Sequence, residues 1–290
     1  MAIEYFCGVI SARLNNQYKV LARDVSFKID AGESLALIGG SGSGKSIIAC
    51  SIMKLLPKNV VAKDLKFNFF GDDFSDCKDL NKLLGDKIVY IPQNGHENLS
   101  SLRKVKYHLF DSLKKIGVPR SEIKKEAVKK LAAVGFANPE EVMEKYPFEL
   151  SGGMAQRVVI AIGICSRAEF VIADEPTNGL EEERKDEFLK LIDSLFPTAA
   201  KLYITHDISV AMKCDKIIVL CGGRVMEEGF SKEVLISPKS PYTKALISAL
   251  AKNRLTETPL LRENIEECPF YSRCKEATEM CVKEGVCKNA

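Results

Sequence analysis

The sequence lacks any apolar run of the roughly 20 residues that a membrane-spanning helix requires. It also lacks an N-terminal basic segment followed by an apolar stretch, so no secretory signal is visible. Neither sign of charge dominates, because 42 lysines and arginines nearly balance 39 aspartates and glutamates. A net charge of +3 does not favour a nucleic-acid binder. The sequence therefore predicts a cytosolic protein of one large or two smaller domains, which could still dock on a membrane partner.

Cysteine, in contrast, is plentiful, with ten residues in a chain of 290. A disulfide framework is not expected, because the chain is neither small nor visibly secreted. Six cysteines stand singly in mostly apolar surroundings, which favours buried, inert thiols. They are Cys7, Cys50, Cys77, Cys165, Cys214 and Cys221. The other four crowd into the last part of the chain, at Cys268, Cys274, Cys281 and Cys287.

A glycine-rich stretch fits the pattern G-x-x-x-x-G-K-[ST]. It consists of Gly39, Gly40, Ser41, Gly42, Ser43, Gly44, Lys45 and Ser46. Residues 34–38 before it predict a buried strand, and residues 47–56 after it predict a helix. In this setting backbone N–H groups and the helix N-terminus surround phosphates, and Lys45 reaches the terminal ones. Ser46 supplies a hydroxyl for Mg²⁺. The stretch predicts a nucleoside-triphosphate site.

An acidic pair, Asp174 and Glu175, follows a predicted apolar strand over residues 170–173. A carboxylate at the C-terminal end of such a strand is where a P-loop enzyme holds Mg²⁺. We expect Asp174 to hold the metal through its water shell, and Glu175 to orient and deprotonate the attacking water. A positioned base of this kind contributes about 10²–10⁴ in rate.

A second glycine turn, with Ser151, Gly152 and Gly153, opens a predicted helix over residues 154–165. Ser151 is a natural N-cap, and the helix dipole favours an anion at this end. One molecule does not need two phosphate cradles for one nucleotide, whereas two copies facing head to tail do. The second turn therefore predicts a dimer with shared sites.

With these motifs in this order, the chain resembles the ATP-binding-cassette ATPases. Walker A is the glycine stretch, the signature lies at residues 150–156, and Walker B lies at residues 170–174, followed by Glu175. Gln93 is similar to the family's Q-loop residue, and His206 to its switch histidine. The resemblance covers at least residues 3–236.

The fold that this resemblance implies is an α/β P-loop NTPase cassette. It has a RecA-like parallel core sheet, an N-terminal antiparallel β-subdomain and a helical subdomain, plus a short Cys-rich C-terminal extension. The implied ATP-binding core spans residues 1–94 and 166–236, and the helical signature subdomain spans residues 95–165. A peptide-importer-type extension with the four clustered cysteines spans residues 237–290.

The resemblance also implies roles for single residues. Lys45 and the loop amides of one cassette hold the ATP phosphates, while Ser151 and Gly153 of a second cassette cap the γ-phosphate. His206 contacts that phosphate, and Tyr18 is the best candidate to stack on adenine. Mg²⁺ is assigned to Ser46, Gln93 and Asp174, and Gln93 links the metal and water to a partner surface.

Two segments of the sequence bear on the transported substrate. Residues 146–150 and 237–243 resemble the cassettes of peptide and nickel importers, with Ser240 where those usually have histidine. Gly40 leans towards nickel, whereas the cysteine tail resembles the extension of oligopeptide and dipeptide cassettes. Three interpretations of Cys268, Cys274, Cys281 and Cys287 stay open: a [4Fe–4S] cluster, which the resemblance favours, a zinc site, or free thiols.

We therefore expect an ATP-hydrolysing subunit of an importer for peptides or nickel, peripheral at the cytoplasmic face of the membrane. Its expected partners are two permease subunits, a second cassette and, indirectly, an extracytoplasmic solute-binding protein, with no nucleic acid. One alternative is a soluble cassette that acts on nucleic acid or ribosomes. Another is a poorly hydrolysing regulatory cassette, because Glu181 stands where the family usually has aspartate.

Overall fold

The computed structural model describes residues 2–14, 17–75, 80–178, 180–251, 268–279 and 281. Contacts within the chain separate two units, one formed by Met1–Cys77 with Leu202–Ala290 and the other by Lys78–Lys201. The domain boundaries expected from the sequence, after residues 94, 165 and 236, stay a prediction. Among the helices that the structure describes, none is long and apolar enough to cross a membrane.

The chain contains both strands and helices. The strands are β1 (Ala2–Leu14), β2 (Gln17–Asp30), β3 (Ser34–Gly39), β4 (Val60–Phe69), β5 (Asp72–Asp73), β6 (Ile88–Ile91), β7 (Phe170–Asp174), β8 (Ala200–Thr205), β9 (Lys216–Cys221) and β10 (Arg224–Phe230). The helices are α1 (Lys45–Ile52), α2 (Leu80–Leu83), α3 (Val105–Lys115), α4 (Ile123–Ala133), α5 (Pro139–Glu144), α6 (Gly152–Gly163), α7 (Glu182–Leu195), α8 (Ile208–Ala211), α9 (Ser231–Ile236) and α10 (Pro241–Ala251).

An antiparallel sheet opens the first unit, with its strands in the order β2-β1-β4-β5. Along β2 the side chains of Val25, Phe27 and Ile29 are buried, whereas the intervening Ser26 and Lys28 are exposed. This period of two residues sets the register, because a slip by one residue would expose the apolar side chains. The antiparallel strands predicted ahead of the glycine loop are thus confirmed, and β1 extends them to the start of the chain.

The second sheet of this unit carries β10, β9, β3 and β8 in that order. Strand β3 pairs in parallel with β9, from Leu35 opposite Lys216 to Gly39 opposite Leu220. Residues 35–39 are all buried, as is usual for a parallel strand that is covered on both faces. The glycine loop follows β3 directly and α1 begins at Lys45. The predicted succession of strand, loop and helix is therefore confirmed.

Helix α1 ends at Ile52, four residues earlier than the sequence predicts. Lys54 has a left-handed φ of 54°, and the N–H of Leu55 donates to the carbonyl of Cys50 at 2.8 Å. Such a left-handed residue with a backward hydrogen bond is a common helix C-terminus. The hydrogen bonding of the last turn therefore sets the end of the helix.

In the second unit, β6 pairs in parallel with β7, from Ile88 opposite Phe170 to Ile91 opposite Ala173. Helices α3 and α4, which follow β6 in the chain, each bury three side chains spaced four residues apart, as an amphipathic helix does. These are Val105, Leu109 and Leu113 on α3, and Ile123, Ala127 and Leu131 on α4. These helices lie within residues 95–165, the part of the chain for which a helical subdomain was expected.

Gly95 tests the packing of the second unit. A Cβ on Gly95 would lie 2.7 Å from the carbonyl carbon of Ala155 and 2.7 Å from the amide nitrogen of Gln156, both on α6. Helix backbone cannot move aside cheaply, so we expect Gly95→Ala to destabilise the chain by about 1–3 kcal/mol in urea unfolding. Gly152→Ala is the matched control, because a Cβ there meets no atom within 4 Å. A Gly95→Ala variant as stable as the control would contradict this packing.

Candidate nucleotide-binding site

The turn from β3 into α1 leaves no room for a side chain at two of its glycines. A Cβ on Gly39 would overlap the carbonyl oxygen of Leu220, and one on Gly44 would lie 2.7 Å from the carbonyl oxygen of Leu21. Gly44 is also the N-cap of α1 and has a left-handed φ of 99°, which glycine adopts readily. These two glycines are required by the conformation of the loop itself.

The side chain of Lys45 is enclosed by the loop, and the residue is only 8% exposed. Its Nζ donates to the carbonyl oxygens of Gly39 at 2.8 Å and Gly40 at 3.1 Å, and lies 3.5 Å from Ser43 Oγ. A buried ammonium must be hydrogen-bonded, and these three acceptors are neutral. Phosphate oxygens are stronger acceptors because they are charged, so they could compete for this ammonium.

The loop is also fastened to the turn between β9 and β10. The N–H of Gly223 donates to the carbonyl of Ser43 at 3.0 Å, and the N–H of Arg23 donates to the carbonyl of Gly223 at 2.8 Å. The remaining loop residues Ser41, Gly42 and Ser46 are exposed. The loop thus has an inner side that is fixed to neighbouring backbone and an outer side that is open.

Two further predicted site residues of the first unit lie at its surface. Tyr18, on β2, is 63% exposed. His206 is exposed in the turn between β8 and α8. That turn is held by Thr205 Oγ1, which accepts the N–H of Asp207 at 2.9 Å, and by Asp207 Oδ1, which caps α8 through the N–H of Ser209 at 2.9 Å. The backbone on both sides of His206 is therefore fixed.

The predicted acidic pair lies at the end of β7 in the second unit. Asp174 is the last residue of the strand, is 7% exposed and accepts a hydrogen bond at 3.3 Å from the hydroxyl of Tyr90 on β6. Glu175 follows with a left-handed φ of 46°, which is strained for a residue with a side chain. The strand conformation therefore stops between the two carboxylates.

Gln156 and Tyr90 hold this acidic segment in place, a role that was not predicted for either residue. Gln156 Nε2, on α6, donates to the carbonyl oxygen of Pro176, directly after Glu175. Gln93 is exposed just beyond β6. In the sequence, a hydroxyl within the apolar strand Ile88–Ile91 indicates that Tyr90 needs a hydrogen-bond partner. The sequence does not indicate which one, because the acceptor, Asp174, lies 84 residues away.

The second glycine turn forms the N-terminus of α6. Ser151 is the N-cap, and its Oγ accepts the N–H of Met154 at 3.3 Å. Ser151, Gly152 and Gly153 are all exposed, and a Cβ on either glycine meets no atom within 4 Å. Nothing in the described part of the chain therefore requires glycine at these two positions. Glu181 is likewise exposed, as the N-cap of α7, and its side chain makes no capping hydrogen bond.

The cysteines fall into two groups. Burial raises the pKa of the Cys165 and Cys221 thiols to about 12, which keeps them protonated and agrees with the predicted inert thiols. Cys7 and Cys214 are buried as well, whereas Cys50, which was predicted to be buried, is only half-buried. Cys77 lies outside the described residues.

In the C-terminal group, the N–H of Cys268 donates to the carbonyl of Cys281 at 3.0 Å, and Cys287 lies outside the described residues. Among the residues that the structure describes, no three or more His, Cys, Asp or Glu side chains are grouped to hold a metal ion. Cys268, Cys274 and Cys281 therefore do not by themselves fit a metal cluster.

A buried lysine in a glycine loop between a parallel strand and a helix, together with an acidic strand end, defines a P-loop nucleotide-binding protein. Residues 22–178 match the family model described as ABC transporter, which covers more than half of the chain. Residues 226–281 match the model described as oligopeptide/dipeptide transporter, C-terminal region. The chain belongs to the ABC transporter family, as an ATP-binding cassette ATPase.

Individual relatives agree with this membership. The chain is 34% identical over 275 residues to a probable peptide ABC transporter ATP-binding protein of Sinorhizobium fredii, covering 89% of this chain and 82% of the relative. It is 35% identical over 275 residues to the oligopeptide transport ATP-binding protein OppD of Salmonella typhimurium, covering 89% and 81%. Among solved structures, the ATP-binding cassette MJ0796 was determined as a dimer in a post-hydrolysis state bound to ADP and Pi. It superposes with a TM-score of 0.69 at 26% identity, covering 79% of this chain and 98% of that one.

Lys45 can be tested by thermal unfolding of the full chain with and without ATP and Mg²⁺. ATP at 100 times its Kd stabilises a folded protein by about 2.7 kcal/mol, and we expect Lys45→Met to abolish this shift. Without nucleotide, the variant should be less stable than the wild type by about 1–3 kcal/mol, because the carbonyl oxygens of Gly39 and Gly40 lose their donor. Lys201→Met is the control: Lys201 is 4% exposed and pairs with Asp193 at 3.2 Å. That variant should lose stability but keep its response to ATP. An ATP shift in Lys45→Met equal to that of the wild type would contradict the site.

Proposed function

We propose that this chain is the ATP-hydrolysing subunit of an importer for oligopeptides or dipeptides, which energises uptake through partner membrane permeases. The names of the two relatives and the match of residues 226–281 to the oligopeptide/dipeptide C-terminal region support a peptide substrate. They outweigh Gly40, which alone leaned towards nickel. They also favour a transport subunit over a cassette that acts on nucleic acid or ribosomes.

The observation that carries the proposed pairing of two cassettes around ATP is the open glycine turn at the start of α6. Gly152 and Gly153 are exposed and face empty space, so their lack of side chains serves no packing within the described chain. We infer that an outside group approaches this backbone closely. An anion suits the position, because the first N–H groups of a helix are unpaired and carry partial positive charge. The γ-phosphate of ATP held by a second cassette meets both requirements.

In the proposed pair of cassettes, Lys45 and the loop amides of one copy hold the ATP phosphates. Ser151 and Gly153 of the other copy contact the γ-phosphate from the opposite side, so that each ATP binds both copies. His206 contacts the same phosphate, and Tyr18 stacks on adenine. Its 63% exposure leaves the ring available for that contact.

The proposed hydrolysis uses Glu175 as the base. It takes a proton from water as the water oxygen attacks the γ-phosphorus, and the bond to the bridging oxygen breaks to give ADP and phosphate. Ser46, Asp174 and Gln93 would hold Mg²⁺, because hydroxyl, carboxylate and amide oxygens are the hard ligands that this ion prefers. Bound there, the ion would neutralise phosphate charge.

The proposed place of work is the cytoplasmic face of the membrane, against two permease subunits. An extracytoplasmic solute-binding protein would deliver the peptide, and the second cassette would be another copy or a homologue. Closure of the pair on ATP and opening after hydrolysis would move the permeases, with Gln93 as the link between nucleotide and partner surface. This function does not require an iron–sulfur cluster.

Glu175→Gln tests the proposed base. Glutamine keeps the size of the side chain but cannot accept the proton, so we expect ATP turnover to fall by about 10²–10⁴. ATP-bound dimers should then accumulate and be visible by light scattering after gel filtration in ATP. Glu183→Gln, on the first turn of α7, is the control and should turn over normally. Unchanged turnover in Glu175→Gln would exclude its assignment as the base.

Gly153→Ala tests the proposed contact with a second copy. Alanine favours helix by up to about 1 kcal/mol over glycine, so the stability of the isolated chain should not fall. ATP turnover should drop at least about tenfold, because the methyl group occupies the space that the phosphate needs. Gly163→Ala, at the other end of α6, is the control and should lose stability while its folded fraction keeps normal ATP turnover. Its Cβ would lie 2.9 Å from Val89 Cγ1, so stability should fall. Full turnover in Gly153→Ala would contradict the shared site.

A further inference from the structure

One peptide unit of the glycine loop is held at both ends. The carbonyl oxygen of Gly39 accepts a hydrogen bond from Lys45 Nζ at 2.8 Å. The N–H of Gly40, which belongs to the same peptide unit, donates to the hydroxyl oxygen of Tyr242 at 3.2 Å. Lys45 and Tyr242 thus fix the two poles of a single peptide dipole at the start of the phosphate loop.

Tyr242 comes from the C-terminal region, 202 residues beyond Gly40. It lies on α10 and is 6% exposed, within the segment that matches the oligopeptide/dipeptide C-terminal model and outside the match to the cassette model. Burial raises the pKa of its phenol, so the hydroxyl stays protonated. The thiol of Cys221, the last residue of β9, lies next to that hydroxyl. The phenol of Tyr242 is therefore neutral, and its oxygen accepts the hydrogen bond from Gly40.

The position of Tyr242 is itself set by two contacts within the first unit. The buried carboxylate of Glu227, on β10, accepts the N–H groups of Lys239 at 2.8 Å and Ser240 at 3.0 Å, which anchors the start of α10. The ring of Phe270 packs edge-on against the ring of Tyr242, with centroids 5.3 Å apart and planes at 71°. Phe270 is 9% exposed and stands two residues after Cys268. Phe270, close to Cys268 in the sequence, therefore contacts Tyr242, and Tyr242 in turn contacts the glycine loop.

We propose that Tyr242 is a positioning residue of the ATP site, and that Phe270 aligns it, so that the C-terminal region sets the affinity of the phosphate loop for nucleotide. This inference rests on the assignment of the glycine loop as the ATP site. Phosphate binding needs several backbone N–H groups to point the same way at once. A peptide unit that is already fixed loses less freedom when the ligand binds, which favours affinity. Hydrogen bonds at both poles of one amide also strengthen each other.

Tyr242→Phe is the direct test, because it removes one oxygen atom and keeps the ring against Phe270. We expect the Kd of the full-length chain for ATP to rise about three- to tenfold, the effect of one hydrogen bond. The turnover number at saturating ATP should stay within about twofold, because Tyr242 does not contact the reacting atoms. Tyr271→Phe is the control: this tyrosine directly follows Phe270 in the C-terminal region, and its hydroxyl makes no hydrogen bond to the glycine loop. It should leave both quantities unchanged.

A double-mutant cycle tests the role of Phe270. Phe270→Leu should also raise the Kd for ATP, but in the Tyr242→Phe background it should add clearly less than it does alone, because both act through one contact. Fully additive effects would overturn the link through Phe270. An unchanged Kd in Tyr242→Phe would overturn the positioning role, provided that the wild type binds ATP and Lys45→Met does not. If Lys45→Met binds ATP like the wild type, the proposed site itself is wrong.

Discussion

A buried ammonium must be surrounded by oxygen atoms, and this requirement organises the first unit of the protein. The loop after β3 bends so that the carbonyls of Gly39 and Gly40 face Lys45 Nζ, at 2.8 and 3.1 Å. That bend brings the loop against the backbone of Leu220 and Leu21, where a side chain on Gly39 or Gly44 would collide. Glycine at these two positions is therefore compatible with the same bend that encloses the lysine. Because the carbonyls serve the lysine, the outer side of the loop remains available to an anion.

The two glycine turns of the chain are glycine-rich for different physical reasons. In the phosphate loop, neighbouring backbone atoms exclude a Cβ, so the glycines are needed by the fold. At Gly152 and Gly153 the space is empty and the residues are exposed, so the fold does not need them. A residue type that packing does not require indicates a requirement from outside, such as the second copy in the proposed shared site.

The motifs could be predicted from sequence because their physics is local. A strand, a tight turn and a helix N-terminus are encoded within about 20 residues, and the elements around Lys45 and Asp174 were confirmed where the pattern placed them. The parts that could not be predicted depend on distant partners. Tyr90 reaches Asp174 across 84 residues, and Tyr242 reaches Gly40 across 202. The end of α1 was also missed, because the left-handed Lys54 leaves no compositional signal. The roles of Tyr18 and His206 stay predictions.

Gly40 shows why the link to the C-terminal region is invisible in the sequence. Its N–H donates to Tyr242 and its carbonyl accepts from Lys45, so both contacts use backbone atoms. Any residue except proline offers the same two groups. The identity of residue 40 therefore neither reveals nor prevents the link, and its use as a hint of nickel transport has no support in these contacts. The link depends instead on the identity of its partner, Tyr242 on α10. The buried Glu227 anchors the start of that helix, and the ring of Tyr242 packs against Phe270. Through Tyr242 the C-terminal region supports the glycine loop of the proposed ATP site. We therefore expect a structural change in this region to alter the affinity of the loop for ATP.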